Sequence, residues 1–151
     1  MSDKEKKQME DENMNSDLNL FFDGFIKTGN VVEEKEVTQG FKVKVKVLDT
    51  GELLIAESIM SNSSAPVDIV ARVRAASILS QAIISINEIP IDRDDYTEKE
   101  IRMRRGLLYK QLLKMPPVVV EKAYRFYIEC VEKQNSKYEN FQETVGDMKN
   151  F

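Results

Sequence analysis

The hydrophobic period of the chain changes several times, and each change marks an element. From Ser16 or Asp17, either of which suits a helix N-cap, Leu18, Phe21, Phe22, Phe25 and Ile26 recur at i, i+3, i+4, i+7 and i+8 before Gly29. This spacing predicts a short amphipathic helix with three phenylalanines on its stripe. Such a helix either closes over the chain's own core or docks in a partner's groove, and closure over its own core is the preferred reading. Ahead of it, residues 1–16 are charged and amide-rich with almost no apolar content. They bury too little to offset the entropy of ordering, which predicts a disordered charged tail.

The period then falls to two. In the run from Phe41 to Val47, Phe41, Val43, Val45 and Val47 share one face and Lys42, Lys44 and Lys46 the other, as in a half-buried strand. Val31 to Val37 can pair with it through Thr38, Gln39 and Gly40, setting Glu34 and Glu36 near the lysine row. Opposite charges across the strands make that row a solvated sheet face. The segment 52–60 reads either as a third strand or as a helix capped by Thr50. Glu52 in a first turn and polar Glu57, Ser58 and Ser61 favour the helix.

The most apolar stretch, Val67 to Ile86, predicts a central helix with little polar surface beyond Arg72, Arg74, Ser77, Ser80 and Gln81. Asn87 to Asp92 would end it, and Thr97 with Glu100 forms a capping box for the next helix. That helix carries Ile101, Leu108, Leu112 and Met115 and stops at Pro116-Pro117. A further helix starts at Pro117 with Val120, Tyr124, Tyr127 and Val131 on its core face, and the spacing resumes at Tyr138, Phe141, Val145 and Met148. The pattern leaves open whether Ser136 interrupts it. The expected fold is α+β, an N-terminal β-hairpin packed on a predominantly helical bundle. Residues 1–16 form the tail, 17–135 one domain and 136–151 a C-terminal amphipathic extension.

Composition narrows the chemistry. The 151 residues carry 22 Lys and Arg against 26 Asp and Glu, a net charge of −4, which argues against general affinity for nucleic acid or anionic membranes. There is no histidine and one cysteine, Cys130, so His-centred triads, His-ligated metal sites, four-cysteine zinc sites and internal disulfides are excluded. No catalytic, cofactor-binding or metal-binding residues are assigned, and an enzyme is not expected. No apolar run approaches the ~20 residues that span a bilayer.

Two charged clusters and one thiol bear on the chemistry. Asp92, Asp94, Asp95, Glu98 and Glu100 are dense carboxylates, but they lack the alternating ligands and turn glycine of a calcium loop and suit a helix N-terminus instead. Arg102, Arg104 and Arg105, with Lys110 and Lys114, make the fourth helix basic and define the alternative function, a small nucleic-acid-binding regulator. No helix-turn-helix pattern or interleaved aromatic set accompanies them, so pairing with carboxylates is preferred. Cys130 has no imidazole to activate it and reads as a buried small hydrophobe.

The order of features carries one resemblance. A Lys/Val strand is followed by Leu48-Asp-Thr-Gly-Glu-Leu-Leu54, an apolar helix ending Ala82-Ile-Ile-Ser-Ile-Asn87, a basic helix ending Leu112-Leu-Lys-Met-Pro-Pro117, and Tyr124-Arg-Phe-Tyr127. Over residues 31–134 this resembles the small tail-assembly and baseplate-hub assembly chaperones of tailed bacteriophages and related virion proteins. It departs from them at Glu88, where a glycine is expected. The resemblance implies a non-enzymatic assembly factor or small virion component. It would bind a phage tail or baseplate structural protein in the host cytoplasm, with self-association and incorporation in the virion as further expectations. The expected contact residues are Phe21, Phe22, Phe25, Phe41, Val43, Val45, Tyr138, Phe141 and Val145.

Overall fold

The computed structural model describes the backbone of residues 2–61 and 66–149, and their side chains except at 27–29, 68 and 141–149. The chain divides into two units, Met1–Asn30 and Val31–Phe151.

The first unit is one helix, α1, Asp3–Gly29. It starts well before the expected Ser16 or Asp17, so residues 3–16 are helical where a disordered tail was expected. The cause is a capping box at its start. The Ser2 hydroxyl accepts from the Glu5 amide at 3.3 Å, and the Glu5 carboxylate accepts from the Ser2 amide at 2.9 Å. Lys, Glu, Gln and Met, all strong helix formers, fill the turns that follow.

The second unit is α+β, an antiparallel sheet against helices. Strands β1 (Val32–Thr38) and β2 (Phe41–Lys46) form the expected hairpin, with Glu34 opposite Lys44 and Glu36 opposite Lys42. Gly40 has φ 81°, the left-handed geometry the turn needs, and its amide donates to Glu36 Oε1 at 2.9 Å. Helix α2 (Thr50–Ser61) settles the open segment as helical. Its cap is Asp49 rather than Thr50: Asp49 Oδ1 accepts from the Glu52 amide at 2.8 Å, and Glu52 Oε1 from the Asp49 amide at 3.1 Å.

Helix α3 (Val67–Ala82) is shorter than the apolar run that predicts it, because Ile83–Ile86 leaves the helix as strand β3. Three of those four residues are isoleucine, which favours strand geometry, and β2 offers a pairing edge. Asn87 and Glu88, at φ 47° and 67°, make a two-residue turn into the short β4 (Ile89–Pro90). The sheet order is β1-β2-β3-β4. Asn87 joins the two hairpin ends: its Oδ1 accepts from the Lys42 amide at 2.8 Å and its Nδ2 donates to the Gly40 carbonyl at 2.9 Å.

Helix α4 (Glu98–Lys114) starts at the expected Thr97–Glu100 box, and α5 (Pro117–Lys149) runs through Ser136 without interruption. Val43, Val45, Leu79, Ile83, Leu112, Ala123, Phe126 and Cys130 meet in one core. Ser77, Ser80 and Gln81 are buried rather than exposed on α3. The Ser77 hydroxyl donates to the Ala56 carbonyl at 2.5 Å and so fastens α3 to α2.

Candidate protein-binding surfaces

The phenylalanine stripe lies on α1. Phe21, Phe22 and Phe25 are 62%, 54% and 40% exposed, and Leu18, Leu20 and Ile26 are exposed beside them. The Phe21 ring lies edge-on to Phe22 at 5.5 Å between centroids and stacks with Phe25 at 6.1 Å.

The other expected contact residues divide. Phe41 and Tyr138 are half-buried. Val43 and Val45 have no exposure and belong to the core, which corrects their assignment to a partner surface: the helices cover this face of the sheet. The side chains of Phe141 and Val145 lie outside the described residues. The opposite sheet face is the solvated charge ladder. Lys42 lies 2.9 Å from Glu88 and 3.7 Å from Glu34, and Lys46 lies 2.5 Å from Glu52.

The basic set does not form a patch. Arg102 is exposed, but Arg104 donates to the Ile91 and Pro90 carbonyls at 3.1 and 2.8 Å and lies over the Tyr96 ring. Arg105 is buried. Its Nη1 donates to the carbonyls of Ser80 and Gln81 at 2.8 Å and of Ile83 at 3.3 Å, and its Nη2 pairs with Asp92. Two of the three arginines assigned to nucleic acid are therefore internal fasteners. Arg105 supplies the donors that the C-terminal carbonyls of α3 need.

Cys130 is fully buried in the core. Burial, first, and the adjacent Glu33 carboxylate push its thiol from an ordinary value near 9 up to about 11. Glu33 itself is held below the usual carboxylate range chiefly by its hydrogen bond from Lys133 at 2.8 Å. Among the described residues no group of three or more His, Cys, Asp or Glu is arranged to hold a metal ion. No helix among them is long and apolar enough to cross a membrane.

One surface escaped the sequence pattern. Between α3, the end of α4 and the start of α5 lies a groove of about 540 Å³ whose walls include Ile69, Ala76, Leu113, Met115, Val120 and Tyr124. Its one trace in the sequence is Leu113, an apolar position on α4 outside the buried face of Leu108 and Leu112. Leu108 and Leu112 are buried, whereas Met103, Leu107 and Leu113 are 60%, 56% and 48% exposed.

Comparison with known proteins returns no matching family model, no similar curated protein and no similar solved structure.

Proposed function

We propose that the chain is a non-enzymatic binding protein, a phage tail or baseplate assembly chaperone or small virion component, that acts by covering apolar surface on another structural protein. The observation that carries this reading is the phenylalanine stripe of α1, on which Phe21 and Phe22 are 62% and 54% exposed. A helix with this spacing gains most of its stability from packing, so its apolar face suits a groove on a partner. The apolar groove beside Leu113 gives the second unit a binding surface of its own. The resemblance over residues 31–134 supplies the tail or baseplate context.

The test is co-expression with a tail or baseplate structural protein of the same genome. Soluble partner should increase and co-purify with the chain, and a Phe21→Ser/Phe22→Ser variant should lose both effects. Unchanged partner solubility and separate elution would overturn the reading.

A further inference from the structure

We propose that the outer face of α4 pairs with the same face of a second copy of this chain, antiparallel about a two-fold axis. The pairing goes beyond the proposed function and uses neither the α1 stripe nor the groove.

Helix α4 has two faces. Arg105, Leu108 and Leu112 are buried, whereas Glu100, Met103, Gly106, Leu107 and Lys110 are exposed at the three- and four-residue spacing of one side. Gly106 points to a close neighbour outside the chain. Glycine weakens a helix relative to alanine, and nothing within the fold requires one here. Its backbone is not left-handed, and a Cβ at this position would meet no atom within 4 Å. What glycine does allow, between the exposed Met103 and Lys110, is the near approach of another backbone.

Charge identifies that neighbour as a second copy. Glu100 lies near the N-terminal end of the face and Lys110 near the other, and neither is ion-paired among the described residues. Glu100 Oε2 accepts from the Thr97 amide at 3.4 Å, which leaves Oε1 for a cation. In an antiparallel pair centred on residue 105, Met103 lies opposite Leu107 of the second copy, and Glu100 lies opposite Lys110 at both ends. Lys99 falls opposite Gln111, and Lys114 falls beyond the first turn of the second helix. Each Gly106 sits about 1.5 Å along the helix from the two-fold axis, where the backbones come closest. A parallel pair would instead set Glu100 against Glu100 and Lys110 against Lys110. The contact uses the same patch on both chains, so it closes at two copies.

Sedimentation of the full chain tests this. Two apolar and two charged layers make a small interface, so the wild-type chain should dimerise between about 10 µM and 0.5 mM, and less tightly as salt rises. Lys110→Glu and Glu100→Lys should each weaken the dimer by at least roughly tenfold. Mixing these two variants should restore dimerisation, because only the mixed pair sets opposite charges together at both ends. Gly106→Gln places a better helix former in open space and should weaken the dimer without lowering the melting temperature of the dilute chain. A wild-type chain that stays monomeric overturns the inference. So does a dimer that any of the three variants leaves unchanged, that mixing fails to rescue, or that Phe21→Ser/Phe22→Ser dissolves.

Discussion

Arg105 and Asp92 are ion-paired where the end of α3 turns into β3, and the same guanidinium holds the carbonyls of Ser80, Gln81 and Ile83. One side chain of α4 thereby fixes the point at which the apolar run 67–86 stops being helix. Arg105→Ala should cost about 3–5 kcal/mol, because it strands buried carbonyls together with a partly buried carboxylate. Asp92→Asn keeps the carbonyl contacts and should cost less, about 1–2 kcal/mol. Urea unfolding of both variants measures the order; equal midpoints would contradict it.

Asn87 occupies a left-handed position that its short amide tolerates, and it bonds to both Lys42 and Gly40. Asn87→Ala should lose about 1–2 kcal/mol. Glu88→Gly should act in the opposite direction, since glycine suits φ 67° and the ion pair given up, Lys42–Glu88, is exposed. Thermal melts of the pair should move to opposite sides of the wild type.

This turn also shows what was legible in the pattern. Periodicity placed the β1–β2 hairpin, α4 and the start of α5, with the Gly40 turn, the Thr97–Glu100 box and Pro116-Pro117 marking their ends. The break at Ile83 is not a matter of period. A fully buried apolar run reads alike as helix or strand, and a tertiary contact from Arg105 with an open edge on β2 decides between them. The α1 stripe was legible because its spacing is purely local. The groove left only Leu113 as a trace, because residues from 69 to 124 on three helices build it. The loss of Val43 and Val45 from the contact set has the converse cause: alternation shows which residues share a face but not what covers that face.

Cys130 and Tyr127 make the fold sensitive to alkali. Burial raises both groups, the thiol to about 11, so the folded state resists their ionisation while the unfolded chain does not. Stability should be fully present below pH 9 and decline from there as pH rises toward 11, a loss that Cys130→Ala should reduce. At neutral pH the native thiol should be inert to Ellman's reagent and should react at once in denaturant. Rapid labelling of the native protein would contradict the buried assignment.

Tyr127 also accepts a hydrogen bond from the Leu48 amide at 3.4 Å, at the junction of β2 and α2. Tyr127→Phe should cost about 1–2 kcal/mol by leaving a buried amide without its acceptor. Hydrogen exchange at Leu48 should accelerate in that variant more than at Leu79.

Titration of the purified chain into a tail or baseplate structural protein of the same genome tests most directly whether α1 is a partner-binding element. The expected result is saturable binding that Phe21→Ser/Phe22→Ser weakens by at least roughly tenfold, with the unfolding of residues 31–149 unchanged. No binding, or binding indifferent to the two phenylalanines, would contradict it.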